Sequence, residues 1–435
     1  MSSLPVEVAQ PRLSEEYKKT RWAGLASMAV AFISDGMEGG LINTLFPVIM
    51  DALALPLGAL GVLSSISKYA RMLFGTLWSM LADRFGRKRI LILVTGIWGL
   101  WTIGVGFAQN YTQLLILYSI AVIGTVAGEP IANGLLRDMF EDDERGKAYG
   151  AMRSVSSLGS LVLTPVIGRL ANIPDGWRIG MYIMAGTSIL SGILIALFVK
   201  EPPKGKVDET DPEAGKFNIK DVGTLLKTPT ILLLAVQLLF ITSLVLFAFM
   251  VTFFVKARGW DTPRAAVLNS VFFGGFMLSS FIGGFLGDLF ERKMGPKGRI
   301  TLMQLYLVGF AIMTFLMTQI DWGQGFMAYV IVFLSGLVGS IGFSGCVLPM
   351  VAAVVEPKYS ATAFALLFSF VQGAISATMM LAIAPLTKTL SLVQIMLYLV
   401  SIPYAINAVF WFLFYKFYPR DVANLKAKLA AAAIG

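Results

Sequence analysis

The chain contains no histidine, a single cysteine and few charges for its length. Without an imidazole, Ser-His-Asp and Cys-His catalytic designs are excluded, and most metal-ligand clusters with them. The lone Cys346 sits in an apolar run and excludes disulfide frameworks and thiolate metal sites. No G-x-x-x-x-G-K-[ST] loop occurs, so the chain has no cradle for ATP phosphates. Charged residues are 14% of 435, against roughly 25% in an ordinary soluble protein. A soluble chain this long would form two or three domains with charged surfaces. Too few charges are present to coat them.

What is abundant is apolar: 56% of residues, with a mean hydropathy of +0.74. A membrane-crossing helix needs about 20 mostly apolar residues. Twelve such runs lie near 22–50, 58–83, 88–108, 111–138, 147–172, 178–200, 229–257, 264–290, 299–319, 325–353, 359–387 and 391–418. The expected class is an all-α polytopic membrane protein. The uncharged stretch 322–355 is long enough to include a membrane-surface segment as well. A polar stretch with both charge signs, 201–228, divides the spans into six and six. The expected organisation is a tail at 1–21, a six-helix bundle at 22–200, a linker at 201–228, a second bundle at 229–418 and a tail at 419–435. Glu15, Glu16, Lys18 and Lys19 lead straight into a full-length span, which argues against a signal peptide.

Lysine and arginine set the orientation. The loop after span 2 carries Arg84, Arg87, Lys88 and Arg89, and the loop after span 8 carries Arg292, Lys293, Lys297 and Arg299. The loops between spans 1 and 2, 3 and 4, and 9 and 10 carry none. The positive-inside rule then places both termini in the cytoplasm of a cell with this protein in its inner (plasma) membrane. The net charge of +9 belongs to that bias. Because the basic residues are dispersed over membrane-edge loops, nucleic acid is not an expected partner.

The chain also repeats itself. Ser79-Met80-Leu81-Ala82-Asp83-Arg84-Phe85-Gly86-Arg87-Lys88 aligns without gaps with Gly284-Phe285-Leu286-Gly287-Asp288-Leu289-Phe290-Glu291-Arg292-Lys293, 205 positions later. Two parallel six-span halves are the pattern of a duplicated transporter. Here the chain resembles the major facilitator superfamily, whose loop 2–3 signature G-x-L-A-D-R-x-G-R-R/K is matched with Ser79 in place of the first Gly. The resemblance implies twelve transmembrane helices in two pseudo-symmetric six-helix bundles that rock about a central cavity lined by spans 1, 4, 7 and 10. It also implies gating by Asp83, Arg84, Arg87, Lys88, Asp288 and Arg292. Asp83 closes a helix whose C-terminus is already negative, so it needs a cation nearby. Subfamily cues diverge. Asp35-Gly36-Met37-Glu38 is similar to the D-G-F-D box of proton-coupled symporters, while Gly128-Glu129-Pro130 with Arg137 and Arg145 looks like spinster-type carriers.

Ionised groups at mid-bilayer cost about 2.5–3.5 kcal/mol each on insertion scales, so they need a partner, water or a task. Five stand out, all in the first half: Asp35, Glu38, Lys68, Arg71 and Glu129. At 1.5 Å per residue, Asp35, Arg71 and Glu129 each lie about 15–20 Å from the cytoplasmic end of their spans, near one level. Lys68, Arg71, Asn133, Gln237 and Gln372 are the expected substrate ligands. Asp35, Glu38 and Glu129 are the expected proton carriers, carboxylates being the available choice without histidine. Ion pairing of Asp35 with Arg71 and of Glu38 with Lys68 is the alternative use of these charges. The expected function is secondary active transport of a small anionic or zwitterionic organic solute by proton-coupled symport. The alternative is proton-coupled export of an amphiphile such as a lysolipid or drug. The protein is expected to be a monomer among membrane lipids, without cofactor, metal or enzymatic activity.

Overall fold

In hydrocarbon the backbone has no water to bond, so each peptide group must be satisfied within its own segment, and helices result. The structure is a computed structural model that describes residues 15–140, 142–200, 219–356 and 359–432. Among the described residues there are helices and turns but no strand. Twelve rods follow one another: α1 Glu15–Ala52, α2 Ala59–Phe85, α3 Arg87–Gly106, α4 Tyr111–Met139, α5 Asp142–Arg169 and α6 Gly176–Phe198, then α7 Pro229–Arg258, α8 Thr262–Met294, α9 Pro296–Gln319, α10 Phe326–Val354, α11 Thr362–Leu386 and α12 Leu392–Ala431. A short connecting helix, Ile219–Leu225, precedes α7. Ten rods are long and apolar enough to cross a membrane by length and composition; α1 and α2 fall outside that count, α2 because of its polar content. The stretch 322–355 resolves into a turn and one rod. Trp322 donates its indole N–H back to the Leu316 carbonyl (2.8 Å), and α10 starts after Gly325.

Several rods are interrupted. The path of α4 breaks between Thr125 and Gly128, and that of α7 between Gln237 and Ser243. Segments of π-helix interrupt α3, α10, α11 and α12. Small residues let rods approach closely. A Cβ on Gly275 or Gly336 would collide with backbone of the partner rod, α10 or α8, at Phe333 or Phe272.

The two bundles meet at the end opposite the termini. One hydrophobic core runs through both halves, from Leu45 and Leu60 to Phe249 and Met380. A second core, including Met28, Leu91 and Leu136, belongs to the first half alone and lies toward the termini. Rod α2 packs on α11, where the Ser65 hydroxyl donates to the Ala377 carbonyl (2.9 Å). Rod α5 packs on α8, where Gly168 abuts Ala266. At the termini end, the pairs Arg21–Glu144, Arg87–Asp83, Arg299–Asp288 and Lys428–Glu356 each stay within one half. The molecule is therefore closed at the far end.

One far-end contact follows from the repeat. The Lys256 ammonium at the end of α7 donates to both Asp51 carboxylate oxygens at the end of α1 (2.8 and 3.0 Å). These residues are 205 positions apart, the spacing that separates Asp83 from Asp288. Equivalent positions of two symmetric halves can touch only beside the symmetry axis. An exposed pair is worth about 0–1 kcal/mol, enough to move a conformational equilibrium several-fold. Asp51→Lys alone should shift the far ends of α1 and α7 apart, and adding Lys256→Asp should bring them back. Distances between spin labels on the two rods test this; a single reversal that leaves the distribution unchanged removes the pair as a latch.

Candidate functional site

Rod α4 resumes at Gly128, and Glu129 and Pro130 fill its first turn. Proline lacks the N–H that a first turn cannot use, and a helix N-terminus favours negative charge. The break thus gives a carboxylate a stable place midway along a rod. Its partner comes from α2: Arg71 Nη1 donates to Glu129 Oε2 at 3.0 Å. Both side chains stay about half exposed, at 56% and 46%, although they sit far from either rod end.

The exposed face of α4 points at the gap between the bundles. Ala127, Ile131, Ala132, Leu135 and Leu136 bury the other face in the core of the first half. On the open face, Glu129 joins α2, and the Asn133 carbonyl accepts a hydrogen bond from the Tyr149 hydroxyl of α5 (2.7 Å). Those flanking rods, α2 and α5, touch the second half through α11 and α8. Asn133 is half-buried one turn from Glu129 on this face. Lys68 lies one turn before Arg71, half-buried and without a hydrogen bond or ion pair among the described residues.

The second half contributes unevenly. Gln372 is half-buried just after the π segment of α11, next to Gly373, which faces Met72 of α2. That contact sets Gln372 level with Arg71. Gln237 is not brought there: it is buried inside the second half, where its Oε1 accepts from Asn407 Nδ2 (3.3 Å). The side chains of Asp35, Glu38, Arg137 and Arg145, and with them the expected Asp35–Arg71 and Glu38–Lys68 pairs, lie outside the described residues; the described partner of Arg71 is Glu129. Sequence reasoning missed Tyr69, whose hydroxyl meets Thr378 Oγ1 of α11 at 2.9 Å and bridges the halves beside Lys68. The available signal was a tyrosine at mid-span, whose hydroxyl needs a partner.

The repeated loop motifs form matching clusters with different arginines. In the first half, Arg87 bonds Asp83 (2.9 Å) and donates to the Gly134 carbonyl of α4 (2.7 Å). Arg84 lies over the Phe85 ring, and Lys88 donates to the Ala196 carbonyl of α6. In the second half, the cation on Asp288 is Arg299 (2.9 Å), which also bonds Glu291 (2.6 Å) and the Gly345 carbonyl of α10. Arg292, the residue aligned with Arg87, is exposed. The cause is the turn. Rod α2 ends at Gly86, with φ of +102°, so Arg87 begins α3; α8 continues to Met294 and turns at Gly295, with φ of +61°, so Arg299 takes the equivalent place at the start of α9. Both halves thus build acid, arginine and glycine carbonyl from three consecutive rods.

The sequence profile of the Major Facilitator Superfamily matches residues 28–380. The chain belongs to that superfamily of membrane transporters. A probable sulfoacetate transporter of Cupriavidus necator is 24% identical over 64% of this chain and 67% of that protein. A hexuronate transporter of Bacillus subtilis is 22% identical over 67% and 70%. Among solved structures, a bacterial homologue of the human lysosomal transporter Spinster, inward-facing and occupied, superposes with a TM-score of 0.71 at 18% identity, covering 94% of this chain and 99% of that one. The superfamily accounts for the twelve rods in two halves.

The arginine exchange is testable. Arg299 is 7% exposed, whereas Asp288 and Glu291 are 64% and 40% exposed. Arg299→Ala should destabilise the second half by about 2 kcal/mol, less than the roughly 3–5 kcal/mol of a fully buried pair. Arg292→Ala should stay within about 0.5 kcal/mol of the parent. Thermal unfolding in detergent compares them, and equal effects would contradict the assignment.

Proposed function

We propose that the protein is a secondary active carrier that moves a small anionic or zwitterionic organic solute by alternating access, coupled to protons as symport. The observation that carries this reading is the Arg71–Glu129 pair, half exposed and facing the gap midway along its rods. A guanidinium offers two parallel donors to a carboxylate, sulfonate or phosphate. While Glu129 is ionised it occupies Arg71. Protonating Glu129 removes that competitor and frees Arg71 for the solute, so proton and anion favour each other's binding. Lys68 supplies a second cation, and Asn133 and Gln372 supply neutral ligands at the same level. Asp35 and Glu38, one turn apart on α1, are further proton sites in this reading.

Names of relatives agree with the class: sulfoacetate and hexuronate are organic acids. With both termini cytoplasmic in an inner membrane, the end that is open here faces the cytoplasm. The clusters around Asp83, Arg84, Arg87 and Lys88 and around Asp288 and Arg292 then face each other when that end closes, and act as its gate. A competing reading, export of an amphiphile such as a lysolipid or drug, draws on the exposed apolar stripe Val155, Leu158, Val162 and Val166 along α5.

Counterflow in proteoliposomes, with organic acids and lysolipids as separate arms, tests the class. Arg71→Ala should lose solute binding while the protein stays folded; unchanged affinity would remove Arg71 from the site. Linkage requires solute affinity to change with pH by the factor by which proton affinity changes with solute. Glu129→Gln should therefore flatten the pH dependence of transport yet retain exchange. Accumulation by that variant in response to a pH gradient alone would assign coupling to another group.

A further inference from the structure

At the termini end, outside the gap, a cleft of about 390 Å³ opens between the connecting helix, the start of α7, the end of α10 and the extension of α12. Small-molecule sites typically measure about 300–1,000 Å³. Its rim is rich in donors: Lys227 with Thr224 and Thr228 on one side, Arg420, Asn424 and Lys428 on the other. The last three are four residues apart on a helix, so they share one face. The floor is apolar, built from Leu225, Val354 and Leu425.

The acids in the cleft are already engaged. Asp421 is buried, and its Oδ2 accepts both the Thr230 N–H (2.9 Å) and the Thr230 hydroxyl (2.6 Å) in the first turn of α7. Glu356 holds Lys428 at 2.6 Å. Lys227 and Arg420 are exposed and carry no hydrogen bond or ion pair among the described residues. The cleft is thus lined by three cations, Lys227, Arg420 and Lys428, against two acids, Asp421 and Glu356, and Lys227 and Arg420 are the cations that hold no ion pair among the described residues. An anion with several acceptor oxygens fits them, and a guanidinium is well matched to phosphate.

Depth decides the source. Thr228 immediately precedes the apolar rod α7, and Val354 is the last residue of α10, so the cleft lies where rods emerge from hydrocarbon. Headgroup phosphates occupy that level, and basic pockets between membrane helices bind such headgroups. Leu226, beside Lys227, is 44% exposed and offers apolar surface for an acyl chain. We propose that this cleft binds the phosphate of an anionic phospholipid, with Lys227 and Arg420 as its charged ligands. An occupant would join the terminal helix to the ends of α7 and α10.

Native mass spectrometry of the purified full chain, titrated with phosphatidylglycerol, phosphatidylcholine or glycerol 3-phosphate, provides the test. Phosphatidylglycerol should bind in preference to phosphatidylcholine. Lys227→Gln and Arg420→Gln should each weaken it roughly fivefold, and together roughly 25-fold. Both substitutions are at exposed positions, and the charge-retaining pair Lys227→Arg with Arg420→Lys should keep most of the affinity. Unchanged binding in the double Gln variant would overturn the site, as would equal retention of phosphatidylcholine. Glycerol 3-phosphate binding as tightly as the lipid would overturn the lipid assignment.

Discussion

An ion in hydrocarbon must be neutralised or kept wet, and the Arg71–Glu129 bond satisfies both demands at once. It needs α2 and α4 side by side, and it needs their shared edge left open. The break in α4 supplies a helix start at that depth, where a carboxylate is welcome and a proline does no harm. Tyr69 and Thr378 close the adjoining seam between halves with a neutral hydrogen bond, which can part without stranding a charge. Midway along α2 and α4, the described residues thereby place a charge pair whose two partners stay half exposed.

Repetition and its failures explain the rest of the architecture. Two halves built on one plan put equivalent residues near each other only at the axis. Asp51 and Lys256 exploit that position with opposite charges. Away from the axis, each half rebuilds the same cluster of acid, arginine and glycine carbonyl, although the arginines are not aligned in sequence. A turn placed about one helical turn later in the second half is sufficient to pass the role from Arg292 to Arg299. The halves differ most at the midplane: charges line the first, while the second pairs Gln237 with Asn407 inside its own core.

The contrast between the two ends is a matter of packing. A shared apolar core and close backbone approach hold the far end, whereas at the termini end the first half packs around a core of its own, separate from the one that continues through the second half. Opening the far end exposes buried apolar surface and breaks Ser65–Ala377 and Asp51–Lys256. Those contacts must be replaced at the other end for the two states to be close in energy.

Composition and periodicity alone determined the helical membrane class, the number of spans and the two-fold repeat, because apolar run length and turn spacing are local properties written directly in residue order. Helix depth, a matter of counting, also put Arg71 and Glu129 near one level. Partner choice was different. That Arg71 meets Glu129, that Gln237 turns away from the gap, and that Arg299 replaces Arg292 depend on how rods rotate about their axes and where each turn falls. A helix presents every side of its circumference to something, and only the packing of neighbouring rods decides which side meets which partner. The far-end pairing of Asp51 with Lys256 was implicit in the repeat spacing, yet it became readable only once the position of the axis was known.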